Sequence, residues 1–332
     1  MTGDPAPRVV AIGGGHGLSR VLLACRRMGV APTAVVTVAD DGGSSGRLRR
    51  DLGIIALGDL RMALLALARE GALAEVLAHR FERGHLEGHA LGNLLLVALT
   101  ECERGDVLGA LRRAEELLRC EGSVVPSTTT PVHMAARVGR MRLGGQATIT
   151  RARGRLDDIW LEPSDPPACP AAVEAVRTAD AVVLGPGSLF TSVIVNLLVG
   201  GLCRAVAETA ATLVHVANVQ APPGETAQLS LADHVASLHA TLGQRAVDTV
   251  IMHDGPRPEA LGTPLHVERR LPGDPHVITA DLLARDDRGR VHAAHDPDRL
   301  ARALAEVVRT ADASGPRGQA VADIRASAPQ RS

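Results

Sequence analysis

Arg8-Val-Val-Ala-Ile-Gly-Gly-Gly-His-Gly-Leu-Ser19 is the stretch whose reading decides the fold. An apolar run, Val9 to Ile12, breaks into four glycines within five residues: Gly13, Gly14, Gly15 and Gly17. Leu18, Val21, Leu22 and Cys25 then recur at helical spacing. This pattern predicts a strand, a tight turn and a helix. Glycines at such a turn let backbone N–H groups approach a phosphate, and the helix N-terminus adds a favourable dipole. The same turn would also serve simply to pack a helix on a strand, but the density of glycine favours phosphate. Neither usual fingerprint fits. A dinucleotide-binding turn needs a third glycine where Leu18 stands, so no nicotinamide cofactor is expected. A P-loop needs a lysine, and the chain has none: all 36 of its Lys and Arg residues are arginine. Lysine Schiff bases and lysine general bases are thereby excluded.

Composition narrows the classes further. With 332 residues and 45% hydrophobic content the chain can bury a substantial core, and 1% aromatics with no Tyr make that core aliphatic. Base stacking on several aromatics is not available, and a formal net charge of -1 gives no global basic footprint, so nucleic acid is not an expected partner. Five cysteines without a C-x-x-C pair point to reduced thiols and a cytoplasmic location. The N-terminus lacks a signal-peptide pattern, and Arg, Asp or Gly interrupts the apolar runs too often for membrane insertion.

After the first helix, residues 33–39 read as a second apolar strand. It ends at Asp40-Asp41-Gly42-Gly43-Ser44-Ser45-Gly46-Arg47, read as a loop. Acids at a strand's C-terminal end sit where open α/β sheets bind ligands. Asp40 and Asp41 are therefore the candidates for holding Mg²⁺ or a ribose hydroxyl, and for any catalytic role. Ser44, Ser45 and the glycines could wrap a phosphate. The G-x-S-x-G match from Gly42 to Gly46 is set aside, since two acids precede it and no apolar helix follows in the sequence. Asp59 reads as a helix N-cap, and Arg61 in that first turn opposes the helix dipole, so an anion is one candidate partner for it. Gly84 to Gly92 reads as a glycine-rich loop before a helix from Leu94, with Asn93 available to a ligand. Residues 132–138 and 146–150 read as a hairpin around Gly144-Gly145. A second strand–turn–helix unit carries Gly185-Pro-Gly187-Ser188, and the strand ending at Ala217 leads to Asn218 and then Glu225-Thr226. Both glycine turns are expected on one rim, facing one ligand. Repeated βα units give a Rossmann-like, doubly wound α/β fold with a mostly parallel sheet and helices on both faces. Residues 1–312 read as a single domain with a final helix over 296–308, and 313–332 as a disordered tail.

Several motifs stand together in register: Gly13-Gly-Gly-His-Gly-Leu-Ser19, Val38-Ala-Asp-Asp-Gly-Gly-Ser-Ser-Gly-Arg-Leu48, Gly58-Asp59, Gly88-His-Ala-Leu-Gly-Asn-Leu-Leu-Leu96, Gly185-Pro-Gly-Ser-Leu-Phe-Thr-Ser192 and Pro223-Gly-Glu-Thr226. In this order they resemble the YvcK-type gluconeogenesis factors, relatives of the CofD-like 2-phospho-L-lactate transferases. The resemblance implies a cytoplasmic UDP-sugar-binding regulator, with UDP-N-acetylglucosamine as the representative ligand. It implies a role in growth on gluconeogenic carbon and in cell shape and wall-precursor supply, and is compatible with a regulatory protein partner and with a homo-oligomer. The ligand's phosphates are expected against the backbone N–H groups of Gly14, Gly15 and the Gly187–Ser188 turn, and its hydroxyls against Asn218 or Glu225. The alternative is an enzyme: an Mg²⁺-dependent phosphotransferase of the phospholactate type, or a nucleotide-sugar hydrolase. The family pattern also uses a Tyr and an Arg from the C-terminal third. This chain has no Tyr and carries Ala294 at the Arg position.

Overall fold

A computed structural model describes residues 6–314 apart from 153, 222, 223, 244, 259 and 260. The tail expected from residue 313 lies, from 315 onward, outside the described residues. Chain order begins with β1 (Val9–Gly13), α1 (Gly15–Arg27), β2 (Thr33–Val36), α2 (Gly43–Leu52), α3 (Gly58–Leu67), α4 (Ala72–Ala78), α5 (Leu91–Cys102) and α6 (Val107–Leu118). Then come β3 (Ser123–Pro126), β4 (His133–Val138), β5 (Met141–Gly144), α7 (Gln146–Thr150), β6 (Asp158–Glu162), α8 (Pro170–Thr178) and β7 (Ala181–Leu184). A π-helical turn over Leu189–Ile194 runs into α9 (Val195–Leu197) and α10 (Gly200–Glu208). The chain closes with β8 (Thr212–Val216), α11 (Leu231–Thr241), β9 (Thr249–His253), β10 (His276–Ala280), β11 (Leu283–Arg285), β12 (Val291–His295) and α12 (Pro297–Ser314).

Seven strands form one sheet in the order β10-β9-β8-β7-β1-β2-β3, every pairing parallel. Parallel sheets are covered on both faces, which is why their strands read as unbroken apolar runs rather than alternating ones. Val9, Val10, Ala11 and Ile12 in β1, and Ala181 to Leu184 in β7, are all buried. Helix α1 turns Leu18, Val21, Leu22 and Cys25 inward and packs against α3 and α12. The strand order reverses between β1 and β7, a topological switch point, where open α/β sheets bind their ligands beyond the strand C-termini. Val9 pairs with Ala181 and Ile12 with Leu184, so the turns after β1 and β7 leave the same rim side by side.

Several local expectations are corrected. Strand β2 stops at Val36, and the loop read over 40–47 is helical from Gly43, where α2 (Gly43–Leu52) begins; Gly53 ends it with its φ at +67°. A strand–turn–helix geometry therefore does exist at the G-x-S-x-G match, one residue past the paired acids. Helix α5 begins at Leu91, which takes Asn93 out of the loop and into the first helical turn. The hairpin turns at Gly139-Arg140: β4 pairs with β5 and, on its other edge, with β6, while Gln146–Thr150 is helical. Helix α3 starts at Gly58 with Leu57 as its cap, so Asp59 is an in-helix residue free for another task.

Candidate functional site

The β1 turn is shaped by close approaches on two sides. Gly13 ends β1, and its carbonyl accepts the Thr37 N–H at 3.0 Å and the Asn196 amide at 3.3 Å. A Cβ on Gly14 would stand 2.4 Å from Asp59 Oδ2 and 2.8 Å from Thr37 Cγ2. A Cβ on Gly17 would stand 2.1 Å from the Pro186 carbonyl oxygen. Gly15 has φ +61° and open space around it, so its glycine serves conformation rather than clearance. The turn is thus wedged between α3 and the β7 turn.

The paired acids part company. Asp40 Oδ1 accepts the Gly42 N–H at 2.9 Å, while its Oδ2 faces Gly58 beside Ser45. Asp41 points the other way and accepts the Ala147 N–H at 2.9 Å, at the start of α7. The carboxylate that joins Asp40 is Asp59, which also accepts the Gly15 N–H. Burial pushes the Asp59 carboxyl up to about 7, the Asp40 charge acts in the same direction, and the Gly15 N–H and Arg61 oppose them. Behind the acids lies Arg49, buried, with one nitrogen donating to the Val132 carbonyl and Nε and Nη1 without a partner among the described residues. Its desolvation lowers the guanidinium pKa, and Asp41 and Asp40 partly offset that.

Ser44 and Asn93 are both buried and belong to a chain of hydrogen bonds joining three helix N-termini. Arg61 Nε on α3 donates to Asn93 Oδ1 at 3.0 Å, and Asn93 Nδ2 on α5 donates to Ser44 Oγ on α2 at 3.0 Å. Ser44 Oγ also hydrogen-bonds His89 Nδ1 at 3.1 Å. Burial lowers the His89 pKa. Both ends of the Asn93 amide are therefore engaged by protein, and Asn93 acts as a positioning residue.

The second turn is equally ordered. Gly185 and Gly187 take φ +80° and +145°. Asn218 clamps the peptide groups of Gly187, accepting its N–H at 3.0 Å and donating to its carbonyl at 2.8 Å. Ser188 donates to Glu225, Thr191 donates to Ser188 Oγ at 2.7 Å, and Thr150 meets Thr191 at 3.2 Å. Glu225 is buried, which raises its pKa, and the Ser188 hydroxyl opposes that rise. Thr226 is fully buried, its hydroxyl without a partner among the described residues. Two N–H groups expected at a phosphate, those of Gly15 and Gly187, are thus taken by Asp59 and Asn218. Those of His16 and Gly17 remain, because the first turn of a helix has no internal acceptors for them.

Between the two turns opens a cleft of ≈ 410 Å³. His16 and Arg20 of α1 line one side, Gly187, Ser188 and Asn218 the next, and Val219, Gln220, Ala293, Ala294 and His295 the remainder. His295 is buried, its Nε2–H donates to the Ala217 carbonyl at 3.0 Å, and burial lowers its pKa to about 4, so it is neutral. Arg20 is half-buried and has no ion-pair partner among the described residues.

The sequence matches the family profile described as 2-phospho-L-lactate transferase CofD over residues 9–281. A relative from Deinococcus radiodurans is 45% identical over 314 residues, which is 90% of this chain and 66% of that protein. The gluconeogenesis factor of Bacillus subtilis is 38% identical over 272 residues, 81% of this chain and 85% of that one. The chain belongs to the CofD-like gluconeogenesis-factor family. The crystal structure of a UPF0052-family protein from Bacillus halodurans superposes with a TM-score of 0.84 at 32% identity, covering 91% of this chain and all of that one. The chain therefore shares both sequence and overall α/β architecture with this solved relative.

Within the family frame, the residues missed by sequence reading are Asp59, His16, Arg20 and Gln220. Asp59 carried a signal, the Gly58-Asp59 pair of the family motif, but its position after Leu57 also suits a helix cap. Ala293 and Ala294 line the cleft, and Arg20 of α1 is its cation. Among the described residues no group of three or more His, Cys, Asp or Glu converges on a single metal position. No single described helix is long and apolar enough to cross a membrane.

Proposed function

We propose that the crevice between the β1 and β7 turns binds a UDP-sugar, with UDP-N-acetylglucosamine as the representative ligand. On this reading the protein is a regulator that couples nucleotide-sugar supply to growth on gluconeogenic carbon and to cell-wall precursor supply. The observation that carries the reading is the cleft's composition. It combines the His16 and Gly17 N–H groups of a helix N-terminus with an Arg20 that pairs with no carboxylate among the described residues, and such a set favours a diphosphate. Val219, Ala293 and Ala294 offer aliphatic contact to a uracil ring, and the Gln220 amide offers a donor and an acceptor for its edge. No residue placed here is an activated nucleophile, which favours binding without a covalent intermediate.

A phosphotransferase reading is favoured by one separate observation, the Asp40–Asp59 carboxylates beside the phosphate turn. Two carboxylates suit Mg²⁺, which completes its shell with ligand phosphates and water. Bound there, Mg²⁺ would neutralise phosphate charge as a Lewis acid. Asp40 and Asp59 would hold it.

Calorimetry with UDP-N-acetylglucosamine and with GDP, each with and without Mg²⁺, tests the choice. The regulator reading expects saturable UDP-sugar binding, no turnover on product analysis, and about tenfold weaker binding in Arg20→Gln, the scale of one charge-assisted hydrogen bond. Tight GDP binding with no UDP-sugar response would move the chain to the transferase reading.

A further inference from the structure

The crevice leaves one cluster of cations unexplained, on the β2 flank and away from the UDP-sugar cleft. Arg47 of α2, Arg61 of α3 and Arg80 at the end of α4 gather around the segment from Glu87 to Asn93. Arg47 Nη2 donates to the Glu87 carbonyl at 2.6 Å, and Arg80 Nη1 donates to the Gly88 carbonyl at 2.5 Å. Arg61 Nε holds Asn93, and its aliphatic stem runs so close to Gly92 that a Cβ there would lie 2.8 Å from Arg61 Cδ. Burial lowers the pKa of His89 and of Arg61, and nearby cations add to it, Arg47 and Arg80 at His89 and Arg80 at Arg61.

Three features separate this cluster from an ordinary solvated face. Each guanidinium is anchored through one nitrogen to a fixed backbone or amide oxygen, so its remaining N–H groups are held in place rather than swept by rotamers. None of the three forms an ion pair with a carboxylate among the described residues. Asp59 acts on Arg61, and Asp51 on the neighbouring His89, without forming an ion pair with any of the three. Finally, Gly88 has φ +77°, and a Cβ there would meet Arg47 Nη2 at 2.7 Å, so glycine is what lets the arginine close on the segment. The first turns of α2, α3 and α5 converge on the same place through the Arg61–Asn93–Ser44 chain, and helix N-termini favour anions. Like charges kept together in this way, preorganised and without a counter-ion, need an anion to balance them, and guanidinium forks match phosphate oxygens.

We propose that Arg47, Arg61 and Arg80 form a second anion site, distinct from the UDP-sugar cleft, that takes the dianionic phosphate group of a phosphorylated metabolite. The site flanks the Asp40–Asp59 carboxylates, so a ligand held by its phosphate would reach its remaining atoms towards the crevice. A regulator could in this way read a sugar nucleotide and a phosphorylated metabolite on one sheet rim.

Inorganic phosphate is the probe, titrated calorimetrically into the full chain at constant ionic strength to remove general screening. Wild type should bind it saturably. Arg80→Gln and Arg61→Gln should each weaken that binding by about tenfold, the loss of one charge-assisted contact. Arg20→Gln should leave it within about twofold, since Arg20 belongs to the other cleft. The Arg80 side chain is exposed and its guanidinium bonds the Gly88 carbonyl, while the Arg80–Ala90 backbone bridge does not depend on that side chain, so its variant folds even if Arg61→Gln does not. Phosphate binding that is absent in wild type, unchanged in Arg80→Gln, or lost in Arg20→Gln overturns the proposal. Failure of UDP-sugar binding does not, because this titration is read without it.

Discussion

Asp59→Asn tests the centre of the site through its pH dependence. Asp59 sits in the first turn of α3 with Oδ2 against Gly14, accepts the Gly15 N–H, and faces Asp40. Its carboxyl is raised from 3.8 to about 7, first by burial and then by Asp40. A shift of roughly three units is worth at most about 4 kcal/mol, and partial solvent access reduces it to about 2 kcal/mol. A folded-state pKa above the unfolded value means that the folded protein holds a proton the unfolded chain has released. The stabilising contribution is therefore complete below about pH 4 and is lost as pH rises through 7. Asparagine keeps the acceptor for the Gly15 N–H but cannot ionise. Urea unfolding of both proteins from pH 5 to 8.5 should show Asp59→Asn gaining about 2 kcal/mol on wild type towards the alkaline end, with the gap closing towards pH 5. The buried histidines His215, His234 and His295 titrate in the opposite sense. Their pKa values are depressed, to about 3 for the first and about 4 for the other two, so their contribution is lost as pH falls below the unfolded value near 6.5. Being common to both proteins, they cancel in the difference. Parallel pH profiles for wild type and Asp59→Asn would refute the reasoning, because Asp59 would then ionise as freely folded as unfolded.

Gly17→Ala should lower stability by roughly 1–3 kcal/mol, since its Cβ meets the Pro186 backbone and cannot be accommodated by a rotamer change. Gly15→Ala, at φ +61° in open space, should cost about 1 kcal/mol, and thermal melts that place it at or below Gly17→Ala would contradict the wedge. Asn218→Ala strips both partners from the Gly187 peptide groups and should cost roughly 1–3 kcal/mol by urea denaturation; no measurable loss would show that other contacts hold the turn. Asp41→Ala should speed amide exchange at Ala147 and in the rest of α7 while costing the whole protein only about 1 kcal/mol; unchanged exchange there would show that Asp41 does not hold α7.

What was legible in the chain is what depends on near neighbours. Unbroken apolar runs such as Val9 to Ile12 require cover on both faces, and glycines after them mark turns, so the sheet and its two ligand-side turns follow from local pattern alone. Gln146 to Thr150 shows where that logic fails. Thr148, Ile149 and Thr150 are β-branched and favour a strand, yet the segment is helical, and the Asp41 carboxylate that caps its first turn comes from 106 residues earlier in the chain. Residues 43–52 failed for the converse reason. Their arginines hide the inward face, because Arg49 is itself buried and the segment's other buried positions are Ser44, Ser45 and Gly46.

The same contrast governs the site. Asp40 and Asp41 are adjacent in sequence, and adjacency invites a paired role, but each carboxylate caps a different segment, Asp40 at Gly42 and Asp41 at Ala147. One carboxylate goes to the phosphate turn and the other to α7, so the partner of Asp40 is Asp59, brought across from α3. Asn93, Asn218 and Glu225 were polar residues in the right loops, but their amides and carboxylate are engaged by Ser44 and Arg61, by Gly187, and by Ser188. They hold the two turns in the geometry a ligand meets. The groups left facing the cleft are the His16 and Gly17 N–H donors, Arg20 and Gln220, which no turn motif singles out. On the proposed reading, specificity in this crevice rests on α1, which brings Arg20, and on the segment after β8, which brings Gln220.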